Sequence, residues 1–207
     1  KCKRPSCIHP KICPNLNTDH RPLLDIYHAV DALPGIKKSF IGSGVRYDLL
    51  LHQSKDPAVN RSTNEYTREL PGKIEKLQNN YANVYAMQFI NLEDSMFRKQ
   101  LNWHKLSLNT QDTELAFKIR PDALVFSKYS YGATPEFIEY LQQQGITSID
   151  VCGQSTDCCV AKIALDLFDN RILPKVLADY CASTAGRLVH KRALISLRHI
   201  IGKDNVI

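Results

Sequence analysis

The stretch Ile149-Asp-Val-Cys-Gly-Gln-Ser-Thr-Asp-Cys-Cys-Val160 constrains the fold more than any other part of the chain. Its apolar, β-branched start stops at Gly153 and small or polar residues follow. From there the apolar positions Val160, Ile163, Ala164 and Leu167 fall at i, i+3, i+4 and i+7. The spacing predicts a strand, a tight turn and a helix. Such a turn aims backbone N–H groups and the positive end of the helix beyond the strand's carboxyl end, where open α/β sheets bind ligands. Cys159 falls in the first helical turn, where that field favours the nucleophilic thiolate form. On the residues alone, Cys158 and Cys159 can also be read as two small buried hydrophobes.

The flanking text alternates in the same way. A helix is expected from Gly72 to about Asn80, with Ile74 and Leu77 inward, and a strand over Val84–Ile90. A long polar stretch from Asn91 to Lys118 is too long for an ordinary connection and reads as an active-site insert, in which Trp103 and His104 are candidates to line a substrate pocket. A strand over Ala123–Ser127, a helix over Pro135–Gln144, a strand over Lys175–Ala178 and a helix over Arg187–Ile201 complete the pattern. Helices alternating with apolar strands predict a mainly parallel sheet covered by helices on both faces.

Residues 1 to 70 read differently. Cys2, Cys7 and Cys13 are crowded among Pro5, Pro10 and Pro14, either as a Cys- and Pro-rich connector or as a metal- or cluster-binding module, at spacings that match no standard zinc or iron–sulfur pattern. Pro22 to Leu33 has helical spacing, Lys38–Gly44 looks like a strand ending in glycines, and Val45–Leu51 is a second short strand candidate. The net charge of +6 is scattered and not interleaved with aromatics on one face, so no nucleic-acid partner is expected. No apolar run approaches the length of a membrane-spanning helix and no signal peptide is visible, so no membrane partner is expected. The seven cysteines form no secreted disulfide framework, which fits a reducing cytoplasm.

Gly153, Thr156, Asp157, Cys159 and Val160, followed by Ala164 and Asp166, resemble the Gly-x-x-Thr-Asp-x-Cys-Val turn and Ala-x-Asp helix of the isochorismatase-like cysteine hydrolases, which include nicotinamidases and N-carbamoyl amidases. The resemblance extends to Val176-Leu-Ala-Asp-Tyr-Cys-Ala-Ser183 and to the strand Asp122-Ala-Leu-Val-Phe-Ser-Lys128. It covers about Pro71 to Ile207 and implies a Rossmann-like three-layer α/β/α sandwich. A second resemblance, to an internal piece of YgiQ-type radical SAM proteins, lies in Cys13-Pro-Asn-Leu-Asn-Thr-Asp-His20, Leu33–Lys38 and Ser43–Asp48. It implies that residues 1–70 are a truncated, partial barrel-like fragment joined to a hydrolase domain at 71–207. The radical SAM family's Cys-x3-Cys-x2-Cys is absent from the sequence, and no cofactor is expected.

The hydrolase resemblance implies a mechanism. Cys159 would attack a small amide or related substrate, Lys128 would steady the negative charge, and the backbone N–H groups of Ser155 and Cys159 would hold the oxyanion. Gln154 would border the substrate, with a cis peptide between it and Ser155. The family's third group, an Asp closing the first strand, has no counterpart before the helix at Gly72. The nearest stand-in for that strand is Tyr47–Gln53, which is expected to fill the sheet's centre with Leu49–Leu51 and would bring His52 or Asp56 to the site. Nicotinamidases hold a metal through an Asp-x-His pair and a second His, where this chain has Asn91-Leu-Glu-Asp94 and only His104 nearby, so no metal is expected. Two functions follow as alternatives. One is a cysteine hydrolase impaired by loss of its acid, with a small-molecule substrate and a homo-oligomeric state; the other is a catalytically inactive chimeric chain that keeps the fold.

Overall fold

The computed structural model describes residues 39–44, 67–110 and 113–207, all within one compact unit, Lys37–Ile207. Among the described residues five strands follow one another: β1 (Ser39–Gly44), β2 (Asn83–Phe89), β3 (Leu124–Lys128), β4 (Ser148–Gln154) and β5 (Leu173–Ala182). They form one sheet in the order β3-β2-β1-β4-β5, and every pairing is parallel. The helices between and after them are α1 (Leu70–Leu77), α2 (Met96–Leu101), α3 (Pro135–Gln143), α4 (Ala161–Asp169) and α5 (Arg187–Ile200).

The chain moves outward from β1 through β2 to β3, then crosses back and moves outward the other way through β4 to β5. Right-handed crossovers in opposite directions place their helices on opposite faces of the sheet, which gives the three layers. The reversal falls between β1 and β4. A crevice opens there, beyond the strands' carboxyl ends.

Local sequence accounts for most elements. Pro71 stands at the start of α1, where its missing N–H is no loss, and Leu70, Ile74 and Leu77 turn one face inward. Thr134 caps α3 by accepting from the Phe137 N–H, and Phe137, Ile138 and Leu141 are buried. Phe137 packs edge-on to Tyr85 and Phe126, with centroids 5.9 and 4.8 Å apart, so α3 covers β2 and β3 with rings. On β4, Ile149, Val151 and Cys152 are all at most 1% exposed, as expected of a strand covered on both faces.

Two expectations are corrected. The centre of the sheet is filled by Ser39–Gly44, which pairs over six residues with β2 and over four with β4. The run Leu49–Leu51, expected in that slot, lies outside the described residues, as does the whole Tyr47–Gln53 stretch; of residues 1–70, read as a barrel-like fragment, the described part 39–44 is instead a strand of this open sheet. A three-residue apolar run is also shorter than the ladder that the slot requires.

The last strand is longer than expected. Between the pairs Val151–Val176 and Gly153–Cys181, β4 advances two residues while β5 advances five, so β5 bulges. The bulge finds its partners in the final residues: Ile207 N–H donates to Val176 O at 3.0 Å, and Ala178 N–H donates to Ile207 O at 2.6 Å. Among the described residues no helix is long and apolar enough to cross a membrane.

Candidate active site

At the end of β4 the chain passes through a cis peptide between Gln154 and Ser155 into a single wide turn, Thr156–Val160, before α4 begins. The Ser155 carbonyl accepts from the N–H of Cys158 and the N–H of Val160, both at 3.1 Å, on either side of Cys159. The second of these bonds spans five residues, so the turn is of π type, where the spacing alone predicted an ordinary α-helical start.

Lys128, the last residue of β3, is 1% exposed. Its Nζ donates to Ser130 O at 2.9 Å and Tyr131 O at 3.0 Å, and lies 3.2 Å from Cys159 Sγ. These three contacts match the three donors of an ammonium. The Phe89 ring lies beneath it, 5.3 Å from Nζ to the centroid. Among the described residues no carboxylate pairs with Lys128; the ion pairs there are Lys73–Glu69, Arg120–Asp122 and Lys162–Asp166.

A cavity of about 360 Å³ opens over Cys159. Phe89, Phe97, Trp103 and Tyr131 form its aromatic wall: Trp103 stacks on Phe89 at 5.8 Å, and Phe97 meets Tyr131 edge-on at 4.9 Å. Phe97 and Trp103 come from the polar insert after β2, Phe89 from the end of β2 itself and Tyr131 from the loop after β3. Asn91, 1% exposed, holds that insert in shape, donating from its amide to Trp103 O and Lys105 O and accepting from the Ser95 hydroxyl. Ser95 in turn caps α2, which carries Phe97. Gln154 and Ser155 border the cavity from the β4 side.

The sequence candidates are therefore divided. Cys159, Gln154, Ser155 and Trp103 line the cavity, and Lys128 lies buried behind it, reaching the Cys159 sulfur. His104 does neither: it is exposed, with Nε2 2.9 Å from the Asn102 side-chain oxygen, because the left-handed turn at Asn102 sends the chain inward at Trp103 and outward after it. His52 and Asp56 lie outside the described residues. The strand that does occupy the centre, Ser-Phe-Ile-Gly-Ser-Gly, contains no carboxylate.

The donors for a metal also fail to assemble among the described residues. Asn91 is committed to the insert backbone, His104 faces solvent, and no three His, Cys, Asp or Glu side chains cluster.

Neighbouring groups differ sharply in their electrostatics. Burial, reinforced by Asp157, pushes the Cys158 thiol up to about 12, which keeps it protonated. Burial likewise pushes Cys181 up to about 12 and raises Cys152 well above the usual thiol range. Tyr131 is raised by burial and by the adjacent thiols and Asp157.

Two contacts behind the turn were not singled out from the sequence. Thr156 Oγ1 lies 2.7 Å from Nδ1 of His190, a buried residue of α5, and Ser155 Oγ lies 3.1 Å from Thr184 Oγ1. His190 stands four residues before Leu194 on the inward face of α5, which is the signal that could have found it.

Comparison with known proteins bears on each part of the chain. The isochorismatase domain family matches residues 59–203. Similar solved structures include an isochorismatase-like hydrolase from Alkaliphilus metalliredigens, with TM-score 0.63 and 17% identity over 79% of this chain and 92% of that one. A pyrazinamidase of Pyrococcus horikoshii gives 0.62 and 18% over 79% and 96%. At these identities the likeness is one of fold. A UPF0313 protein from Bacteroides thetaiotaomicron is 89% identical over 70 residues, 34% of this chain and 11% of that protein. The chain thus spans about a tenth of the length of the curated relatives it matches.

Proposed function

We propose, from the premise that this chain belongs to the isochorismatase family, that it is a cysteine hydrolase acting on a small amide or a related carbonyl compound. The observation that carries this reading is the buried ammonium of Lys128, 3.2 Å from a sulfur that opens on an aromatic-walled cavity.

In this reading the Cys159 sulfur attacks the substrate carbonyl carbon, and the carbonyl π electrons move to oxygen. The N–H of Cys159, flanked by neighbours that bond Ser155 O, and the N–H of Ser155 receive that oxyanion. Collapse expels the amine, which takes up the proton that the thiol gave up, and leaves a thioester; water then attacks the thioester, releasing the carboxylic acid and returning a proton to sulfur. Lys128 offsets the negative charge on sulfur in both steps. Cys158, held protonated by burial beside Asp157, is no competitor for the nucleophile's role. The aromatic wall suits a flat or apolar acyl group, and the volume suits a small molecule.

A second reading, a non-catalytic chain that keeps the fold, is favoured by one observation: the central strand carries no carboxylate to move protons. The pH profile of Cys159 alkylation separates the two. The hydrolase reading expects rapid alkylation well below about pH 8 and a marked slowing in Lys128→Ala. Alkylation no faster than that of free cysteine establishes the inert reading instead.

A further inference from the structure

The helix residue Asp166 stands two turns beyond the nucleophile, and its side chain does not touch the reaction cavity. Its Oδ2 accepts from the Ala133 N–H at 2.9 Å, and its Oδ1 pairs with Lys162. The carboxylate lies so close to the neighbouring Gly132 that a Cβ built there would fall 2.1 Å from Oδ2. Only glycine admits this approach. The segment held in this way, Ser130–Ala133, is the one whose Ser130 and Tyr131 carbonyls accept from Lys128 Nζ.

We propose that Asp166 and Gly132 are positioning residues for Lys128: the carboxylate fixes the Ser130–Ala133 turn so that two of its carbonyls converge on the ammonium and hold it at Cys159. An unanchored lysine has four rotatable bonds and follows whatever acceptors are nearest. Here two of its three donors are taken by backbone oxygens of a single short turn, so displacing the turn displaces the ammonium. The bond from Ala133 to Asp166 crosses from the loop after β3 to α4, the helix that follows the nucleophile turn. The same carboxylate therefore ties the lysine's loop to the cysteine's helix, and the 3.2 Å separation of Nζ and Sγ is set from both sides.

The inference rests on the hydrolase reading, and its test distinguishes the two. The pH dependence of Cys159 alkylation is compared in the full chain for wild type, Asp166→Ala, Asp166→Asn, Gly132→Ala and Lys162→Ala, with circular dichroism to confirm folding. Asp166→Ala and Gly132→Ala are expected to move the low-pH arm upward by about one pH unit or more. Asp166→Asn, which keeps an acceptor for the Ala133 N–H, restores it, and Lys162→Ala leaves it in place. A purely structural role lowers stability without moving the arm. If wild type shows the arm and folded Asp166→Ala or Gly132→Ala keeps it unshifted, the positioning role is overturned and the hydrolase reading stands. If wild type lacks the arm, both fall. Should Asp166→Ala fail to fold, Gly132→Ala decides the question through the same contact.

Discussion

The β4 side and the β1 side of the crevice are built on different terms. Around the Cys159 turn at the end of β4, and the end of β3 that reaches over to it, each functional group is a named side chain held by several contacts: Lys128 by two carbonyls, the Cys159 turn by two bonds to Ser155 O, and Asp166 behind both. On the β1 side a strand outside the family-matched residues 59–203 occupies the centre of the sheet, pairs with both neighbours and brings no carboxylate. A ladder asks only for backbone N–H and C=O groups at the right repeat, which nearly any extended sequence supplies. Proton transfer asks for one side chain at one place. The slot can be structurally complete and chemically empty at once.

The largest test of this contrast adds the missing group. Placing a carboxylate at the end of β1, as Ser43→Asp in one variant and Gly44→Asp in another, should raise hydrolysis of a small aromatic amide in one of the two, because successive strand residues point to opposite faces. The expected gain is about 10²-fold or more, the usual yield of a positioned general acid–base. No gain in either variant, measured as steady-state release of ammonia, would remove β1 from the site.

A smaller effect probes the ladder alone. Ile41 pairs with Tyr85 on one side and Val151 on the other, so Ile41→Pro deletes a donor in the middle of the sheet. A loss of about 3 kcal/mol or more is expected, read as a lower urea midpoint. An unchanged midpoint would mean that the sheet does not depend on this strand.

The smallest effect comes from behind the Cys159 turn. Burial holds His190, bonded to Thr156, below its ordinary pKa of 6.5. The unfolded chain therefore binds this proton more readily than the folded one, so stability should fall as pH drops below about 6.5 and level off below the folded-state value. The slope should not exceed about 1.4 kcal/mol per pH unit. His190→Asn should flatten that dependence in denaturant titrations across pH 4.5–7.5, whereas a depressed slope unchanged by the substitution would assign it elsewhere.

How much of this could be read from the chain depends on how local each feature is. The strand, turn and helix around Cys159 were legible because apolar periodicity and small residues act within a dozen positions. Lys128 was placed by motif order, and the extended stretch ending at Gly44 was visible as a strand. Its place in the sheet was not, since its pairing joins residues 44 positions apart with β2 and 110 positions apart with β4 and leaves no local trace. The continuous apolar run Leu49–Leu51, followed by Gln53 ahead of the helix at Gly72, looked the better match for that slot. The bulge in β5 is likewise settled by distant partners, the residues at 206–207, whereas the π turn and the outward swing of His104 turn on local backbone geometry, at Ser155 O and at the left-handed Asn102, that residue type alone does not specify.

The chain contains a single tryptophan, and Trp103 stands in the aromatic wall, stacked on the same phenylalanine that underlies the Lys128 ammonium. Indole emission from this protein therefore originates at one address, in the cavity that Cys159 also lines. The molecule carries its own optical probe of whatever enters that chamber, with no background from a second indole elsewhere.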